Sequence, residues 1–230
     1  MSGLKSLVFY TAVDDNNKRL NFATDILLTL EPADSDSLPR SSNPIAWKVL
    51  RFDPSFPAQQ TVIWHKDAGF SLVVENEDGT YSMRTQKITV EPKHMTSLDE
   101  TGSAPCWSTP VKNHDNPTIV AFNNCPIPKT FALCSVDNTG NNSVFSPVVF
   151  LGTFGYEQKI ECQTPVILQA YAIAGYKEGQ LFKASDKEHF LLKNHKNEPK
   201  PLNMEDARKV TVFRLYSHST GRPTLELVSG

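Results

Sequence analysis

The chain has 230 residues, 39% of them hydrophobic and 21% charged, which is the profile of an ordinary globular protein. Its 23 Lys and Arg against 25 Asp and Glu leave a formal net charge of -2. That balance excludes an affinity built on neutralising many phosphates, so no nucleic-acid partner is expected. No stretch approaches the ~18 consecutive apolar residues of a spanning helix, so no transmembrane segment is expected either.

Taken in chain order, the apolar run from Leu7 to Val13 follows Lys5 and precedes Asp14-Asp15-Asn16-Asn17. Polar residues thus stand where a leader would carry its small-residue cleavage site, and the run reads as a first strand. From Phe22 to Leu30, Phe22, Ile26, Leu28 and Leu30 alternate with Asp25 and Thr29, the period of a half-buried strand. Further strands are expected over Ile45 to Phe52 and Thr61 to His65. The clearest local signal is a hairpin: Ser71 to Glu75, a turn at Asn76-Glu77-Asp78-Gly79, then Thr80 to Met83. Asp-Gly accepts the positive φ values of a tight turn. Lys87 to Val90, Ile119 to Phe122, Thr130 to Val136, Val148 to Phe154, Val166 to Ala174, Val210 to Tyr216 and Leu225 to Val228 complete the strand set. Helix signals are confined to the polar excursion 183–209: a capping box at Ser185-Asp186-Lys187-Glu188, and Asn203 ahead of Met204 to Arg208.

An internal echo organises these strands. Pro44 and the pair Gln60-Thr61 recur 103 residues on, as Pro147 and Gln163-Thr164, each beside an apolar run. The pairs Phe22 with Phe131 and Leu7 with Ile119 repeat at offsets of 109 and 112, shifts of the kind that loop insertions produce. The expected fold is all-β: two tandem antiparallel β-sandwich, immunoglobulin-like units from an internal duplication, with little helix. The first unit is expected at 1–104, a linker at 105–117 where Pro105, Pro110 and Pro117 break every period, and the second unit at 118–230.

Chemistry-bearing motifs are absent. No nucleophile elbow, phosphate loop or metal-finger spacing occurs, so no catalytic residue, metal site or cofactor is expected, and an enzyme is the less favoured class. A dispersed site would centre on His65, with Asp67 as its orienting carboxylate. The Asp/Asn/Gly run from Asp137 to Asn142 reads as a solvated turn. Cys106, Cys125, Cys134 and Cys162 form no disulfide framework and are expected to be reduced thiols of a cytoplasmic protein.

Aromatic residues outside the periodic segments supply the candidate site. Equivalent connections of two copies occupy equivalent corners, which pairs the loop from Arg51 to Pro57 with that from Phe154 to Lys159. Arg51, Asp53 and Phe56 in the first, Tyr156 and Glu157 in the second, and Trp107 between the units combine rings with charged groups, a mixture suited to a glycan or other polar ligand. A non-enzymatic recognition protein is the expected function. The alternative is a membrane-binding or self-assembling β protein, cytolysin-like or structural, forming homo-oligomers through its edge strands.

Overall fold

The computed structural model describes residues 4–11, 20–34, 38–102, 104–112, 115–182, 191–192, 201–217 and 221–229. Among them there is no helix, and eighteen strands form in chain order. These are β1 (Lys5–Tyr10), β2 (Thr24–Pro32), β3 (Asn43–Pro44), β4 (Lys48–Phe52), β5 (Gln59–Trp64), β6 (Ala68–Glu75), β7 (Tyr81–Thr89), β8 (His94–Thr101) and β9 (Ala104–Trp107). They continue with β10 (Val111–Lys112), β11 (Thr118–Asn123), β12 (Lys129–Asp137), β13 (Val144–Phe154), β14 (Gln158–Gln163), β15 (Pro165–Ala172), β16 (Leu202–Asn203), β17 (Val210–Ser217) and β18 (Pro223–Ser229).

The strands assemble into four sheets. Sheet I has the order β18-β17-β1-β5, sheet II β16-β15-β2-β4, sheet III β3-β13-β12-β6-β7, and sheet IV β10-β8-β11-β14 with β9 also paired to β8. The ladders are mainly antiparallel, as expected; two are parallel, β1 with β17 and β8 with β11. Alternation decides which side chains turn inward: Leu7 and Phe9 of β1, Ile26, Leu28 and Leu30 of β2, Ile119 and Ala121 of β11, Phe131 and Leu133 of β12 all enter one buried apolar cluster. At ~25 cal/mol per Å² of apolar surface removed from water, this burial is the main favourable term holding the sheets together.

Each sheet combines strands from before and after 105–117, so the expected division into 1–104 and 118–230 is not a division of the sheets. The expected linker itself supplies β9 and β10. The topology nevertheless repeats. Exchanging β1, β2, β4 and β5 for β11, β12, β13 and β14, and β15 to β18 for β6 to β9, converts sheet I into β9-β8-β11-β14 of sheet IV. The same exchange converts sheet II into β7-β6-β12-β13 of sheet III, and the parallel ladders map onto each other.

The Asp-Gly hairpin forms as the turn chemistry requires, with Gly79 at φ 76° and the Asn76 N–H donating to the Thr80 carbonyl at 2.8 Å. Lys87 to Val90 is not a separate strand; most of it is the far end of β7. The capping box at 185–188 lies outside the described residues. Asn203 does cap a turn: its side-chain Oδ1 accepts the Glu205 N–H at 2.9 Å, and the turn goes no further before Lys209.

Candidate functional site

The two expected corners exist as equivalent connections. β4 to β5 passes from sheet II to sheet I through residues 53–58, and β13 to β14 passes from sheet III to sheet IV through 155–157. The second is tighter than expected, because Lys159 belongs to β14.

In the first corner the Asp53 carboxylate accepts the Ser55 N–H at 2.7 Å, a local turn between Pro54 and Pro57 that also holds Asp53 below the usual carboxylate pKa. Phe56 is 70% exposed, so it is no plug for its own layer. Arg51 lies on β4 with its Nε 3.7 Å from Asp25 of β2, on the outer face of sheet II. In the second corner Glu157 adopts φ 58° and donates its N–H to the Asn123 carbonyl at 2.6 Å. Tyr156 is 57% exposed, and hydrogen bonding to the Glu157 carboxylate raises its phenol pKa.

Each corner is fastened by a buried polar residue just past β1 or at the end of β11. Thr11 exchanges two hydrogen bonds with the Ala58 backbone, its Oγ1 accepting the N–H at 3.0 Å and its own N–H donating to the carbonyl at 2.9 Å. Asn123 donates through Nδ2 to the carbonyls of Phe154 and Gly155 at 2.8 and 3.1 Å and accepts the Cys125 N–H on Oδ1. Buried groups satisfied in this way fix the path of the chain.

Two residues missed by sequence reading complete the corners. The register of β2 on β4 sets Thr24 opposite Phe52, which brings Phe22 to the same end as Phe56; it is 48% exposed and not on the core face as expected. The register of β12 on β13 sets Lys129 opposite Phe154, which brings Ile127, 60% exposed, to the same end as Tyr156. For Ile127 the signal was available in Pro126 and Pro128, which flank it and break any strand period; for Phe22 there was none, because the alternation of β2 runs on through it.

Trp107 belongs elsewhere. It sits on β9 and packs against Phe70 and Phe131, with ring centroids 6.3 and 5.9 Å away, so sheet IV meets sheet III through it. Trp47 and Trp64 are buried.

His65 is not oriented by Asp67. Its Nε2 lies 3.4 Å from Oδ2 of Asp137 at the end of β12, while Asp67 accepts a hydrogen bond from Asn138 Nδ2 at 2.7 Å. The other oxygen of Asp137 accepts the N–H and the hydroxyl of Thr139 at 2.8 and 2.6 Å; these bonds, with the nearby His65, hold its pKa down. The pair borders a cavity of about 370 Å³ between β4 and β5 on one side and β12 and β13 on the other. A second cleft of about 270 Å³ opens along β6, β7 and residues 128–130, with Arg84 and Lys129 in its wall. Among the described residues no group of three or more His, Cys, Asp or Glu side chains could hold a metal ion.

The chain matches no protein-family model, no curated protein and no solved structure.

Proposed function

We propose that the protein is a non-enzymatic recognition protein that binds carbohydrate through its two equivalent corners. The observation that carries this reading is the exposure of Phe56 and Tyr156 on equivalent connections, each beside a carboxylate fixed by local hydrogen bonds. An aromatic face stacks on the apolar face of a pyranose ring, and a positioned carboxylate takes its hydroxyls. We further propose that the scaffold is a duplicated β-sandwich whose copies have exchanged strands. The repeated sheet orders support this, as do Thr11 and Asn123, which fasten the two corners from matching strands.

The test is binding to an immobilised glycan panel by the wild type, Phe56→Ala and Tyr156→Ala. Each variant is expected to lose most of the signal with an unchanged melting temperature, because rings this exposed stabilise the fold little. Binding that survives both substitutions would sink the reading.

A membrane surface is the second reading, favoured by Phe22 and Ile127, which give each corner a second exposed apolar side chain. It predicts co-sedimentation with phosphatidylcholine vesicles that Phe22→Ser and Ile127→Ser abolish.

A further inference from the structure

We propose that the cavity bordered by His65 and Asp137 is a separate binding site for a small neutral polyol of monosaccharide or cyclitol size. Its volume of about 370 Å³ stands at the small end of the ~300–1,000 Å³ range of ligand pockets. One part of its wall carries Ser135, Ser146 and the His65–Asp137 pair, and another carries Ile63 and Val144, which are exposed apolar side chains. Hydroxyl-rich rings need this division, with donors and acceptors around the edge and an apolar surface beneath.

The facing atoms of the pair, His65 Nε2 and Asp137 Oδ2, are left for a ligand. At 3.4 Å the ring nitrogen and the carboxylate stand beyond the distance of a good hydrogen bond. Thr139 anchors only the far oxygen of Asp137, and Asn138 holds Asp67 aside. The matching crossing in the other half shows that the scaffold does not need them. There β14 passes to β15 through the single residue Thr164, and Pro165 pairs with Pro32 where β12 carries Asp137 near His65. The crossing from β5 to β6 is three residues long and brings His65 with it.

Charge selects against ionic ligands. An anion would meet the Asp137 carboxylate, and the one lysine in the wall, Lys48, is bound by Glu178 at 3.0 Å. A cation would leave the apolar wall and the serine hydroxyls without a role.

The test titrates the protein with glucose, galactose, mannose and myo-inositol, with inorganic phosphate and ethanolamine as ionic controls, reading backbone amide shifts. Saturable shifts at Ile63, Ser135, Val144 and Ser146 are expected for at least one neutral probe. His65→Gln and Asp137→Asn should each weaken that binding by ~10-fold or more. Phe56→Ala should leave it unchanged, which separates this site from the corners. Because Asp137 also anchors a turn, His65→Gln with an unchanged melting temperature is the deciding variant. The proposal is overturned if no neutral probe binds, if phosphate or ethanolamine binds there instead, if the shifts map to 53–58 and 155–157, or if His65→Gln binds as the wild type does.

Discussion

Burial sorts the four cysteines by reactivity. Cys125, Cys134 and Cys162 are buried and Cys106 is exposed, and all four are unpaired. Removal from water disfavours the thiolate, which raises all three buried thiols, Cys162 to about 12 and Cys134 further. Native protein treated with a thiol reagent near pH 8 should therefore label at Cys106 alone, and denaturant should expose the other three; peptide mass mapping reads both. The same shifts set a pH dependence. In the unfolded chain these thiols ionise above the ordinary value of ~8.5 while the folded ones stay protonated. Their contribution to stability is thus complete below that value and is lost as pH rises towards about 12 for Cys162. The urea midpoint should fall between pH 7 and pH 10, and by less in a Cys162→Ala background. Replacing the thiol with a residue that cannot ionise removes its share of the slope.

Strands were legible in the sequence wherever alternation and turn chemistry agreed, as at β2, β12 and the β6–β7 hairpin. β8 and β14 were not. Glu100 and Gly102 hide β8, which exists because β11 pairs along one side and β9 and β10 along the other, and the polar ends of Gln158–Gln163 around Ile160 and Cys162 hide β14, an edge strand held by its ladder with β11. Which carboxylate faces His65 was equally out of reach, because Asp137 comes to it through tertiary contact and not along one strand. Phe56 and Tyr156 were legible as corner residues, since prolines and a Gly-Tyr-Glu turn interrupt periodicity whatever the topology. Among the described glycines, Gly69 of β6 is the one that a neighbouring strand's backbone approaches most closely. A Cβ there would come to 2.1 Å from the Ile88 carbonyl oxygen of β7, a backbone atom that cannot swing aside. Gly69→Ala should force β7 away and cost about 1–3 kcal/mol, as overpacking does, lowering the melting temperature by roughly 2–10 °C. Gly79→Ala has open space at Cβ and only its φ of 76° to oppose it, so the cost should be nearer ~1 kcal/mol. Thermal denaturation of the two variants tests the order; equal losses would mean that contact with β7 does not constrain β6.

At the scale of the whole molecule, the interleaved strands bear on cooperativity. Five ladders cross from one half of the chain to the other: β1 with β17, β2 with β15, β3 with β13, β6 with β12 and β8 with β11. Cutting between β10 and β11 would leave 1–112 with β1 and β2 each lacking a neighbour, and 113–230 with β11 and β12 in the same condition. Each half would then expose an apolar face drawn from the shared core, including Leu7 and Ile26 in one and Ile119 and Phe131 in the other. Unpaired central strands and an uncovered core are far costlier than the entropy of joining two fragments. Neither fragment should fold alone, and the two should co-purify on co-expression with the β-rich circular dichroism of the intact chain. Two tandem units that end at the linker make the opposite prediction, since each would keep its own sheets complete and melt cooperatively by itself. A fragment 1–112 with a sharp thermal transition of its own would therefore contradict the interleaved sheets. Copurification of two otherwise unfolded halves would show instead that the chain is a single folding unit, with the corners and the His65 cavity depending on both parts of the chain at once.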